Sequence, residues 1–217
     1  MSGNGNAEPK TGRPVRREHI EWCDIWVPGA NKTGLPRVLL IGDSIVKGYY
    51  GAVNKALEND AAVARLATSA FLSDPAYLQQ LDCVLDQYTF DVIHFNNGRH
   101  GFGYSEAEYA AALPRIIDHI RKKQPRATVI LAYTTPVRAG DEHRKRTNAR
   151  IRERNRAVAA LAAERNLEVD DLYALNPYKP SAYVADGAHF TGSIRELQGR
   201  HIAEVIRRAL ASRKKEK

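Results

Sequence analysis

Three side chains in this sequence have the types and spacing for nucleophilic catalysis: Ser44, in Ile41-Gly42-Asp43-Ser44, and the pair Asp186 and His189, in Asp186-Gly187-Ala188-His189. A carboxylate three residues before a histidine lies close enough on one turn to accept a hydrogen bond from the imidazole and fix its tautomer. The other ring nitrogen is then left to face a serine hydroxyl and take its proton. Taken singly, each piece is ordinary: Ser44 would serve as a helix N-cap, and an isolated Asp-x-x-His as a surface turn. Their conjunction at opposite ends of one domain-sized chain points to nucleophilic catalysis.

Positioning these groups falls to an alternation of strands and helices. The apolar run from Arg37 to Ile41 predicts a buried strand, Gly-Asp-Ser a turn, and the stretch from Ile45 to about Glu58 a helix. Ser44 thereby sits beside unpaired N–H groups at the positive end of a helix, where the charge of an attacked carbonyl is stabilised. Further strands are expected at Val63 to Ala67, Asp91 to Phe95, Thr128 to Tyr133 and Leu167 to Leu172. Helices are expected at Pro75 to Gln87, Ser105 to Lys123 (with a capping box from Ser105 to Glu108), Glu142 to Arg165 and Ser193 to Ala211. Strands separated by helices of this length need crossovers, which gives an α/β fold with a mostly parallel five-stranded sheet and helices on both faces. Sites in such folds lie at the carboxyl ends of strands, where Ser44, Ser69, Gly98 to His100 and Thr134-Thr135 all fall.

A chain of 217 residues suits one domain, here 18–211, with a disordered arm over 1–17 and a basic tail over 212–217. Trp22, Ile25, Trp26 and Val27 read as an ordered lead-in to the first strand. No window approaches the ~18 consecutive apolar residues of a membrane span. The polar, basic start has no apolar core of a secretory signal, so a cytoplasmic location is expected, with Cys23 and Cys83 as reduced thiols. The net charge of +8 is concentrated in Arg144 to Arg156, with seven basic residues against one acid, and in Arg207 to Lys217, with six against one. Arg146, Arg150 and Arg154 share one helical stripe, expected to be a solvated face, with attraction to acidic substrates or polyanions as the competing reading. Nucleic acid is not an expected partner.

The motifs at Ile41-Gly42-Asp43-Ser44 and Asp186-Gly187-Ala188-His189-Phe190 resemble the first and last sequence blocks of the SGNH, or GDSL-like, hydrolases, over roughly Arg37 to Ala211. The resemblance implies a flavodoxin-like three-layer α/β/α sandwich and a serine esterase, with Ser44 as nucleophile, His189 as general base and Asp186 orienting it. It implies no cofactor and no metal. A zinc site from His94, His100, Asp186 and His189 has no short-spaced ligand pair to support it, and His94 reads as a core histidine.

The two middle blocks depart from the family pattern. Ala67-Thr68-Ser69-Ala70 stands where a glycine is usual, and Gly98-Arg99-His100-Gly101 stands where Gly-x-Asn-Asp is usual. The oxyanion hole is therefore expected to use backbone N–H groups of Ser44 and Ser69, with Asn97 or His100 as the remaining donor and Gly98 between them. A neutral imidazole N–H can donate as an amide can; Gly98 and Gly101 can also simply permit a tight turn. Asp43, Tyr49, Arg99 and Phe190 are candidate substrate contacts. The expected substrate is a small-molecule ester, with a small acyl group on a carbohydrate as the leading guess. An acyltransferase and a weakly catalytic polyanion-binding module are the alternatives.

Overall fold

The computed structural model describes residues 15–138, 146–176 and 179–215. Six strands form one sheet: β1 (Cys23–Trp26), β2 (Arg37–Gly42), β3 (Ala62–Thr68), β4 (Val92–Asn96), β5 (Thr128–Ala132) and β6 (Glu168–Asp170), in the order β1-β3-β2-β4-β5-β6. β2 to β6 are parallel throughout. The expected five strands are these five. The sixth, β1, lies in the expected lead-in; it pairs antiparallel with β3, Cys23 opposite Thr68 and Trp26 opposite Arg65, and covers what would otherwise be a bare edge.

Each crossover between parallel strands carries a helix, α1 (Ser44–Ala56), α2 (Pro75–Leu85), α3 (Glu106–Lys123) and α4 (Asn148–Arg165), and the one-turn α5 (Leu172–Leu175) and α6 (Gly192–Lys215) follow β6. Alternation along β2 sends Val38 and Leu40 to one face and Leu39 and Ile41 to the other. The first pair joins a core with Val46, Tyr49 and Val53 of α1 and Ile202 and Ile206 of α6. The second joins a core with Tyr77 and Leu81 of α2, Leu113 and Ile117 of α3 and Val158 of α4. Burial on both faces is why the strand reads as an unbroken apolar run. The result is the flavodoxin-like three-layer sandwich. Its strand order reverses between β2 and β4, the position at which ligands enter such sheets.

Ser105 accepts from the Glu108 N–H, and the Glu108 carboxylate accepts from the Ser105 N–H, so the expected capping box is formed. Helix α4 starts at Asn148, later than the expected Glu142; 142–145 lie outside the described residues. The expected limit of the N-terminal arm at Arg17 falls within a docked segment. The Arg16 N–H donates to Tyr104 Oη at 2.6 Å and Arg17 pairs with Asp74 at 3.0 Å, which places 15–17 with the domain; 1–14 lie outside the described residues. At the other end, α6 continues to Lys215, through most of the expected tail.

Candidate active site

The turn after β2 carries two jobs on adjacent residues. Asp43, fully buried, caps α1 by accepting from the Ile45 N–H at 3.0 Å through one carboxylate oxygen. Its other oxygen accepts from the Arg99 N–H at 3.0 Å, tying the α1 turn to the loop after β4. Ser44 is thus the first helical residue, with its hydroxyl free of capping duty.

His189 reaches this hydroxyl from the far end of the chain. Its Nε2 lies 2.7 Å from Ser44 Oγ and its Nδ1 lies 2.5 Å from Asp186 Oδ2. Asp186 Oδ1 accepts from the Ala188 and His189 N–H groups at 2.9 and 3.0 Å. Burial alone would raise the Asp186 carboxyl, but these N–H groups and the His189 ring outweigh it and hold it at about 2. An ionised carboxylate only accepts, so the neutral His189 ring carries its proton on Nδ1 and turns a lone pair toward Ser44.

The histidine turn is fixed from outside. The Val184 N–H donates to the His189 carbonyl at 3.0 Å, the Arg138 N–H to the Gly187 carbonyl at 2.8 Å, and Arg99 Nη2 to the Ala188 carbonyl at 2.9 Å. Arg99 Nη1 donates to the Thr135 carbonyl, so this side chain clamps the His189 turn onto the end of β5. Burial pulls the guanidinium down to about 10, Asp43 opposing and Arg146 assisting, and it remains charged at neutral pH.

The loop from Asn97 to Gly101 is held by the stripe that reads as a basic helix face in the sequence. Arg154, fully buried, donates to the carbonyls of Gly98 (3.0 Å), His100 (2.6 Å) and Gly101 (3.2 Å) and lies 4.2 Å above the Phe102 ring centre. Arg150 donates to the Phe102 and Tyr104 carbonyls and pairs with Glu106 at 2.8 Å. Arg150 and Arg154 therefore form neither a solvated face nor a polyanion surface. They are a template for the site loop, and an arginine planar enough to reach several carbonyls suits it. Gly98 (φ 151°) and Gly101 (φ 69°) are required by backbone conformation and by space, because a Cβ would meet Thr134 and Phe71 respectively. Asn155 completes the scaffold by bonding both the N–H and carbonyl of Thr134.

Several expected roles change. The Ser69 N–H donates to the Trp22 carbonyl at 3.1 Å, and Ser69 Oγ bonds Glu21 and the Trp22 N–H, so the pairing with the β1 segment consumes the donor expected for an oxyanion hole. The Gly101 N–H is likewise taken, by Glu18 at 3.0 Å. Asn97 Nδ2 is buried with no partner among the described residues. His100 Nδ1 lies 2.9 Å from Glu18 Oε2. A carboxylate there places the neutral ring's proton on Nδ1, so Nε2 offers a lone pair, and the neutral donor expected of His100 is not available. Asp43 and Tyr49 are fully buried in structural roles, the Tyr49 hydroxyl accepting from Asn96 at 3.4 Å; neither lines a cavity at the site.

Two cavities meet at Ser44 and His189. The larger, about 490 Å³, runs between Lys47, Gly48, Val184, Phe190, Arg195 and Gln198; the smaller, about 140 Å³, lies among Trp22, Arg99, His100, Arg146 and Ala188. Phe190 and Arg99 thus line cavities as expected. Trp22, Glu18, Lys47, Arg146 and Arg195 were not singled out as site residues, and nothing local in the sequence marks Glu18, which acts across 82 positions. His94 bonds Asp170 at 2.9 Å as a core histidine, and no group of three or more metal-ligating side chains occurs among the described residues.

The model of the GDSL-like lipase/acylhydrolase family matches residues 40–196. The chain belongs to this family. It is accordingly an ester hydrolase. No curated protein sequence matches it. Among solved structures, it is similar to the lipase/acylhydrolase from Enterococcus faecalis (TM-score 0.66, 22% identity, 79% of this chain and 95% of that one). It is also similar to the aryl esterase of M. smegmatis (0.66, 17%, 80% and 99%) and to a GDSL-like lipase from Bacteroides thetaiotaomicron (0.65, 16%, 80% and 89%). At these identities the likeness is one of fold. No helix of the hydrolase among its described residues is long and apolar enough to cross a membrane.

Proposed function

We propose that this hydrolase cleaves a small acyl group from the hydroxyl of a polar, sugar-sized alcohol through a Ser44-His189-Asp186 triad. The observation that carries the reading is the unbroken chain of contacts Ser44 Oγ, His189 Nε2, His189 Nδ1, Asp186 at 2.7 and 2.5 Å. Ser44 Oγ attacks the ester carbonyl while its proton passes to His189 Nε2. Collapse of the tetrahedral anion expels the alcohol, which takes that proton. Water then attacks the acyl-enzyme by the same route and releases the acid. The Ser44 N–H, at the start of α1, and the Asn97 amide hold the anion; among the described residues neither makes a well-formed hydrogen bond, the Asn97 amide lying beside the buried Tyr77 hydroxyl.

The two cavities suit the two halves of such a substrate. The smaller, close to the size that admits a single benzene ring (about 150 Å³), takes the acyl group, and the larger, with Lys47, Arg195 and Gln198 in its wall, takes the alcohol. Two free cysteines fit a reducing, cytoplasmic setting. Hydrolysis of a 4-nitrophenyl ester series from acetyl to octanoyl tests the reading. Turnover confined to the wild type, absent in Ser44→Ala and falling with chain length, is expected. Equal turnover in the variant would overturn it.

A further inference from the structure

The small cavity beside Ser44 concentrates positive charge that nothing in the hydrolytic step requires. Arg99 is buried in its wall and spends Nη1 and Nη2 on neutral carbonyls, leaving Nε without a partner. Arg146 lies half-buried in the same wall. Neither makes an ion pair among the described residues, and the two oppose each other, Arg146 helping to lower Arg99. The nearby acids are engaged elsewhere: Glu18 with His100 and the Gly101 N–H, Asp186 with His189, and Asp43 with the Ile45 and Arg99 N–H groups. Asp43 and Asp186 act on Arg99, and Glu18 on Arg146, only at a distance; among the described residues no carboxylate bonds either guanidinium, so both remain open to an anion in the cavity.

We propose that this cavity receives an acyl group ending in a carboxylate, so that the substrate is the half-ester of a short dicarboxylic acid. The inference rests on the triad reading above and narrows it. Arg146 holds the carboxylate, Arg99 behind it supplies field while keeping its clamp on the His189 turn, and the carbonyl end faces Ser44. A volume of about 140 Å³ limits the chain to roughly a three- or four-carbon diacyl group. Hydrolysis adds one water and releases the dicarboxylate and the free alcohol. An arginine is suited to such a carboxylate because its planar fork can bind both oxygens.

The test compares monomethyl succinate with methyl butyrate, which replaces the carboxylate by a methyl group, in wild type, Arg146→Gln and Arg146→Lys, with acid release followed by titration. The expected wild-type preference in kcat/KM for the succinyl ester is about tenfold or more. Arg146→Gln removes most of that ratio and Arg146→Lys retains part of it. Wild-type turnover of the butyrate with no preference for succinate, or a preference indifferent to Arg146, overturns the inference and leaves the esterase reading standing. A preference for acetoxyacetate over propyl acetate, with none for succinate, overturns it too, by placing the anion on the alcohol side. Should neither methyl ester turn over, the esterase reading is the one that fails. Calorimetric titration of succinate into wild type and Arg146→Gln then decides the anion site: binding lost in the variant upholds it, and equal or absent binding overturns it.

Discussion

Two histidine–carboxylate couples face Ser44, and they are built in opposite ways. His189 and Asp186 lie three residues apart on one turn, with Asp186 also bonded to the backbone of that turn. His100 and Glu18 meet across 82 positions, and Glu18 also holds the Gly101 N–H. In both the carboxylate fixes the proton on Nδ1 and leaves Nε2 as an acceptor. Only His189 has a proton donor in front of that nitrogen, Ser44 Oγ at 2.7 Å. Chemically similar couples thus differ in placement: one holds a ring nitrogen against the Ser44 hydroxyl, and the other anchors the segment around Glu18 over the loop from Asn97 to Gly101.

The sharpest way to break this comparison is to remove each histidine. His189→Ala should lower kcat by about 10⁴ to 10⁶ with an unchanged melting temperature, as for other triads. A loss under tenfold would mean that His189 is not the base. The next largest effect concerns the support of the second couple. Arg154→Met takes a donor from the carbonyls of Gly98, His100 and Gly101, of which Gly101 keeps the Tyr104 N–H, and leaves Glu106 with Arg150 alone; it should destabilise the fold by about 3–5 kcal/mol in denaturant unfolding. A change below about 1 kcal/mol would show that the loop holds its shape without the template.

The same contrast explains what the sequence makes legible. The proposed triad stands in two short segments whose spacing carries the contacts between Ser44, His189 and Asp186, and the parallel sheet follows from apolar runs interleaved with capped helices. The oxyanion side does not read this way, because its geometry is set by partners far along the chain. Ser69 sits where a donor is expected, yet its N–H pairs with Trp22 once β1 joins the sheet edge, and β1 is a short, partly polar strand with little apolar periodicity. Arg150 and Arg154 carry charge, and charge on a helix ordinarily means solvent; only tertiary contact reveals carbonyls and aromatic rings in front of them. The Ser105 cap shows the other side of the same rule: bonds within or next to one element are readable, and bonds to a distant loop, such as those of Asn155 to Thr134 across 21 positions, are not.

A smaller effect tests the second couple itself. With Glu18 holding the proton on Nδ1, neutral His100 cannot donate to an oxyanion, so His100→Ala should change kcat less than about threefold in mildly alkaline solution, where a full oxyanion donor would cost ~10²–10³. A large, pH-independent loss would restore His100 as a neutral donor and require Glu18 to be protonated. That requirement runs against its carboxyl being lowered, since the His100 ring and the Gly101 N–H outweigh the opposing effect of burial.

The smallest effect lies in acid stability and separates the carboxylate of the first couple from its histidine. Asp186 is held at about 2, below the usual ~3.9 of an unfolded chain. A depressed folded-state value contributes stability that is fully present above the unfolded value and is lost as pH falls from about 4 toward 2. Half the side chain is exposed, so solvent screens the contribution to under about 1 kcal/mol. Melting curves of wild type and Asp186→Asn should therefore converge as pH is lowered through this window and differ by a constant small amount above it. Divergence instead would mean that the Asp186 charge destabilises the turn.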